Sequence, residues 1–219
     1  AYEVPFGDWS SDVCSSDLGL VFYVFWGLNY QAEPLSATLA LDVRARDKAE
    51  LVALNEYLVE KANAYAELIP RGEDGYPEEI GFTKLAAEVA DCFGEYTGRK
   101  ELPAKYVLAS RLLSYTGITG IFSPYTGEAN VNADNVCSDL PFCIAHEMSH
   151  RYAVAPEDEA NFFAFYILRG ASDPYLVYSA YLAAIRYCQN ALYDTDYEAF
   201  ARIYSMYSDN MRKDLMQYK

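Results

Sequence analysis

Two histidines, His146 and His150, are all that this chain possesses, and they stand four residues apart with Glu147 directly after the first. That spacing, HExxH, constrains the fold more than any other feature. On an α-helix, residues four apart lie one above the other on the same face, so both imidazoles reach one metal ion if this stretch is helical. Glu147 then lies beside them, where its carboxylate can take a proton from an attacking water. In a shuffled chain of this composition the arrangement arises with a chance on the order of one in a thousand. Phe142, Ile144, Ala145 and Met148 around it are apolar and predict a buried helix. Burying His, Glu and His together is costly without a partner, and a metal ion is such a partner.

Two imidazoles do not complete a catalytic zinc site, which takes three protein ligands and leaves a place for water. With no third His, the remaining ligand is expected to be acidic or, failing that, Cys. The next predicted helix opens at Pro156, a favoured first-turn residue, with Glu157, Asp158 and Glu159 following. Glu157, Asn161 and Ala164 share one face, and Ala160 lies close to it. Glu159 points about 160° away from Glu157 on an ideal helix, so both cannot face one metal.

The pattern E-x-x-A-N-x-x-A over Glu157–Ala164 resembles the second-helix motif of the Glu-ligated zincins, the gluzincins. The resemblance implies His146, His150 and Glu157 as zinc ligands, with Glu159 the alternative third ligand. It makes Asn161 an orienter of a ligand, and Ala160 and Ala164 small packing positions. A wider resemblance runs from residue 18 onward: WGLNY, GITGIFSPYTGEANVN, LPFCIAHEMSH, EDEANFFAF and DPYLVYSAYLAAIRY follow in that order. This succession is similar to the DUF3810 family of bacterial proteins. The resemblance implies a zinc metallopeptidase preceded by several membrane helices, with WGLNY after the last of them. It therefore implies a bacterial inner (cytoplasmic) membrane location. Ala153 departs from the pattern, since a Gly is expected after HExxH.

The N-terminal stretch fits that picture. Residues 18–30, LGLVFYVFWGLNY, are apolar and uncharged, but at 13 residues they fall short of the roughly 20 a spanning helix needs. They read as a buried core helix or as the end of a truncated membrane helix over 18–31. Trp26 and Tyr30 suit a membrane–water interface. Ahead of them, Asp12–Leu18 (DVCSSDL) reads as an in-frame translation of a common sequencing adaptor, so residues 1–17 are expected to be a non-native leader.

Further on, Leu51, Leu54, Leu58, Ala62 and Tyr65 make a helical stripe within 47–69. Another helix is expected over 78–96, stopping near Gly98. Residues 105–131, β-branched, aromatic and broken by Gly and Pro, predict two or three short strands. Helix returns from about Ser138. The fold class expected is α+β and predominantly helical: a zincin-like domain over 32–219, with a small sheet preceding the HExxH helix.

Charge narrows the function classes. Seventeen Lys and Arg against 32 Asp and Glu leave a net charge of −15, which argues against nucleic-acid binding and against attraction to anionic lipid. Five Cys without a CxxC pair suggest neither a disulfide scaffold nor a zinc ribbon. The function expected is a zinc-dependent, membrane-anchored peptidase acting on peptide or protein substrates, with Glu147 as general base. The GITGIF or EANVN segment would supply an edge strand for the substrate. Tyr178 and Tyr181, from the run Tyr175, Tyr178, Tyr181 and Arg186, are the expected oxyanion donors. Two other readings stand beside it: a non-catalytic, zinc-stabilised peptide-binding or regulatory domain, and a hydrolase of a non-peptide substrate.

Overall fold

The computed structural model describes residues 9–217, with side chains from residue 16 onward. The expected leader therefore lies partly outside the described residues; from Trp9 the chain is helical. Helix α1 (Trp9–Phe25) ends in a 3-10 turn, Gly27–Gln31, and a short helix α2 (Leu35–Thr38) follows. The side chains of Leu18, Leu20, Phe22, Tyr23, Val24 and Phe25 are exposed. Among the described residues no helix is long and apolar enough to cross a membrane.

Helix α3 (Lys48–Ala66) starts on a capping box. Asp47 accepts from the Glu50 backbone N–H at 2.8 Å, and Glu50 accepts from the Asp47 N–H at 3.1 Å, satisfying two donors that a helix start leaves unpaired. Its buried stripe is Asn55, Leu58, Val59, Ala62 and Ala66, with Leu51 and Tyr65 partly covered. Leu54 is exposed, so the stripe is rotated from the expected one. Asn55 occupies the buried place and donates to the Leu51 carbonyl at 2.9 Å. Helix α4 (Phe82–Thr97) begins four residues later than expected and ends on Gly98, whose φ of +69° is the left-handed conformation a glycine stop supplies.

Three strands follow: β1 (Lys105–Tyr106), β2 (Gly120–Ser123) and β3 (Glu128–Val131). A short helix the sequence did not predict, α5 (Ser110–Ser114), interrupts them. The strand order is β1-β3-β2, with β1 parallel and β2 antiparallel to β3. EANVN is thus central, and the GITGIF segment carries an edge strand. The Asn132 N–H bonds the Thr119 carbonyl, and the Val107 N–H bonds the Val131 carbonyl. By antiparallel alternation, Gly120 and Phe122 turn their peptide groups away from β3.

The remainder is helical: α6 (Leu140–Arg151), α7 (Glu157–Leu168), α8 (Pro174–Thr195), α9 (Tyr197–Ser205) and α10 (Asp209–Leu215). Helix α6 runs beneath β2 and β3 and against α4, α7 and α8, while α3 lies along α8. Ile144, Ala145 and Met148 of α6 are fully buried, as are Ala160 and Ala164 of α7; the two alanines let α7 approach α6 closely. The architecture is α+β, mostly helical, with one small sheet beside α6.

Candidate metal centre

Helix α6 presents His146, Glu147 and His150 beneath β2, and the first turn of α7 delivers Glu157 to the two imidazoles. Glu157 Oε2 lies 3.1 Å from His146 Nε2, and Oε1 lies 3.6 Å from His150 Nε2. The candidate ligand atoms of the three residues all fall within 4.8 Å of one another. Glu159 is elsewhere: its Oε1 accepts from the Leu35 backbone N–H at 3.1 Å, at the start of α2. The angular separation expected on the helix is thus realised, and Glu157 is the carboxylate that joins the histidines.

Both imidazoles are held through the nitrogen that faces away from Glu157. His146 Nδ1 lies 2.9 Å from Asn161 Oδ1, and His150 Nδ1 lies 2.7 Å from the Val154 carbonyl oxygen. Each partner is an acceptor, so each Nδ1 carries a proton and each Nε2 is the nitrogen turned to Glu157. In that arrangement outer partners orient the rings so that Nε2 is presented to a metal. Burial, and then the neighbouring His150, hold the His146 pKa below its ordinary value. Asn161 reaches His146 because it stands one turn after Glu157 on the same face of α7.

Glu147 is buried, and its pKa is raised to about 8, first by that burial and then by the negative charge of Glu157. The Phe122 backbone N–H faces its carboxylate and offsets part of that rise. Gly120 permits the approach of β2 to Glu147: a Cβ there would stand 2.5 Å from Glu147 Cγ.

Two cavities flank the cluster and share Thr119, His146 and Glu157. One, of about 440 Å³, also takes in Phe22, Trp26, Phe122, Glu147 and His150. The other, of about 400 Å³, takes in Asp139, Cys143, Asn161, Arg186 and Tyr187. The segment 18–31, for which the sequence leaves both a buried core helix and the end of a membrane helix open, contributes Phe22, Trp26 and Tyr30 to the wall of the first cavity, with the Trp26 ring edge-on to His150 at 5.4 Å between centroids.

The two tyrosines expected as oxyanion donors are not in either cavity. Tyr178 is fully buried on another face of α8, its hydroxyl 2.5 Å from Asp214 Oδ2. Tyr181 stacks on Tyr65 at 5.9 Å and lies 3.5 Å, hydroxyl to hydroxyl, from Tyr57. Helical spacing identified a tyrosine face on α8, but that face packs against α3 and α10. Tyr187 lines the second cavity with His146 and Glu157, beside Arg186, whose guanidinium pairs with Asp139 at 2.5 Å, and Tyr30 lines the first. No motif marks Tyr187 in the sequence; its adjacency to Arg186 was the available signal.

A buried and a half-buried imidazole whose Nε2 atoms converge on one exposed carboxylate, with a second carboxylate alongside, can hold a divalent cation and move a proton next to it. Comparison with curated proteins and with solved structures finds no match. The sequence does match one family, described as "Protein of unknown function (DUF3810)", over residues 13–219. The chain belongs to the DUF3810 family.

Proposed function

We propose that this chain is a zinc-dependent peptidase of the gluzincin kind, with a zincin-like domain built on α6 and α7. The observation that carries the reading is the convergence of His146, His150 and Glu157 within 4.8 Å, with both Nδ1 atoms already engaged. Two nitrogens and a carboxylate oxygen suit zinc, so the residues present fit the ion. A bound zinc supplies Lewis acidity, polarising a carbonyl and making water more acidic.

The other roles fall to the chain's own residues. Glu147, in its carboxylate form, accepts the proton of the attacking water and passes it to the leaving amine. The Phe122 N–H is turned to Glu147, but the outward Gly120 peptide group and the Phe122 carbonyl leave β2 an edge on which an extended substrate can align by main-chain hydrogen bonds. Oxyanion donation is assigned to Tyr187, supported by its place in the wall of the cavity that His146 and Glu157 share, rather than to Tyr178 or Tyr181. Asn161 keeps the His146 ring in register. Membrane attachment through the N-terminal segment belongs to the same reading, supported by the exposed apolar run Leu18–Phe25.

The test is metal content followed by hydrolysis. Purified protein is expected to hold one zinc per chain and to cleave unfolded casein in a way that chelation abolishes and zinc restores. Glu157→Gln should weaken zinc binding, whereas Glu147→Gln should keep the zinc and lose the cleavage. Folded protein that takes up no zinc when supplied with it would overturn the reading. Zinc binding with full activity in Glu147→Gln would overturn the mechanism.

A further inference from the structure

The two cavities beside the metal ligands differ in chemistry. The one on the His146 side is polar, with the Asp139–Arg186 ion pair, Asn190 and Tyr187 in its wall. The one on the His150 side is walled by Phe22, Trp26, Tyr30, Ile118, Phe122 and Pro124, and its only charged residues are Glu147 and Glu157 of the cluster itself. The Trp26 ring lies 5.0 Å from Phe122 and 5.4 Å from His150, and Phe122 lies 6.1 Å from His150. The aromatic wall therefore abuts a ligand imidazole directly. A group held against Trp26 and Phe122 sits next to the point on which His146, His150 and Glu157 converge.

Resting on the zinc peptidase reading, we propose that this cavity is a specificity subsite for one large apolar side chain of the substrate, adjacent to the scissile bond. Trp26 and Phe22 are its selecting residues. Its volume, about 440 Å³, admits a leucine or phenylalanine side chain. A charged side chain would find no counter-charge beyond the cluster, and its desolvation would go uncompensated. Burying an aromatic or branched aliphatic side chain there is expected to tighten binding about tenfold to a hundredfold. The selecting residues come from the N-terminal segment, some 120 residues upstream of the ligands, so the segment read as an anchor also shapes substrate choice.

The experiment uses the full chain loaded with zinc and calorimetric titration with simple hydroxamates, which chelate zinc through one common group. Acetohydroxamate carries no side chain to speak of, 3-phenylpropanohydroxamate carries an apolar ring, and succinic monohydroxamate carries a charge. The phenylpropano compound is expected to bind about tenfold to a hundredfold tighter than acetohydroxamate, and the succinic compound no tighter. Phe22→Ala, at an exposed position, and Trp26→Ala should each remove most of that gain. Leu108→Ala, on a remote exposed site, should retain it. Equal binding of acetohydroxamate and the phenylpropano compound would overturn the subsite while leaving the zinc site standing. A gain that persists in both aromatic variants would overturn the assignment to Trp26 and Phe22. Failure to bind zinc at all would overturn the peptidase reading and the subsite with it.

Discussion

The Val154 carbonyl oxygen lies 2.7 Å from His150 Nδ1, four residues along the chain, and Ala153 makes the turn that brings it back. Ala153 has φ of +63°, in the left-handed region, and its N–H bonds the His150 carbonyl at 3.0 Å. A side chain there costs about 1 kcal/mol or more, which a glycine avoids. After allowing for the greater freedom of glycine in the unfolded chain, Ala153→Gly is expected to stabilise by about 0.5–1 kcal/mol, or about 2 °C in Tm. A thermal melt checks this, and an unchanged or lower Tm would refute the strain.

Gly120 sets the position of Glu147 in the same way. A Cβ at 2.5 Å from Glu147 Cγ cannot be accommodated without moving that side chain or the strand. Gly120→Ala is expected to leave zinc stoichiometry intact, because no ligand is touched. Hydrolysis should fall about a hundredfold, the scale of loss when a reacting group is misplaced by about 1 Å. Metal analysis beside a casein assay separates the two effects. Full activity in Gly120→Ala would show that the contact is not limiting.

Asn161 and Glu159 make a matched pair, two residues apart on α7. Asn161 fixes the His146 ring, whereas Glu159 is engaged by the Leu35 N–H. Removing an outer partner of a ligand imidazole weakens metal affinity about 10- to 100-fold. Asn161→Ala should show that loss in a competition titration with a chelator, and Glu159→Gln should match the native protein. The reverse order would move the third ligand to Glu159.

The site was legible wherever its information was local. HExxH and the Glu157–Asn161 step each lie within one helix, where the 3.6-residue period fixes which side chains share a face. The period also placed the tyrosines of α8 on one face, but it cannot say what packs there. Tyr178 and Tyr181 therefore meet α10 and α3 instead of the cluster, because a contact between distant helices has no local signature. Trp26 reaches His150 across more than a hundred residues, and Gly120 matters only through a contact with α6. Helix α5 is one short, largely exposed turn inside a β-rich stretch, so pattern gave no signal for it. Leu54 and Asn55 show the limit in another form: the stripe was found, but a buried, hydrogen-bonded Asn shifted its centre by one residue.

The cluster that claims Tyr178 carries a structural prediction. Arg71 donates from Nη1 to Asp214 Oδ1 at 2.9 Å and from Nη2 to Oδ2 at 2.8 Å, and the Tyr178 hydroxyl completes the carboxylate. Burial and the Asp214 charge hold the Tyr178 phenol far above its ordinary pKa. Tyr178→Phe is expected to cost about 1.5–3 kcal/mol, the worth of a hydrogen bond to a charged group. Asp214→Ala should cost about 3–5 kcal/mol, because it strands a largely buried guanidinium. Denaturant titration measures both, and zinc affinity should be unchanged in Tyr178→Phe. A selective loss of zinc binding or of catalysis, with stability intact, would return Tyr178 to the site.

Trp26 offers a direct optical reading of the same geometry. The chain has two tryptophans, Trp9 and Trp26, so Trp9→Phe leaves Trp26 as the one indole. Its ring stands 5.4 Å from that of His150, which places it within short-range quenching distance of an open-shell ion held by His146, His150 and Glu157. Cobalt(II) should quench most of the emission at one equivalent, whereas zinc(II), with a filled d shell, should shift it without comparable quenching. Glu157→Gln should raise the cobalt concentration needed. Cobalt binding with unaltered emission would mean that the N-terminal segment does not cover His150, and the aromatic wall would fall with it.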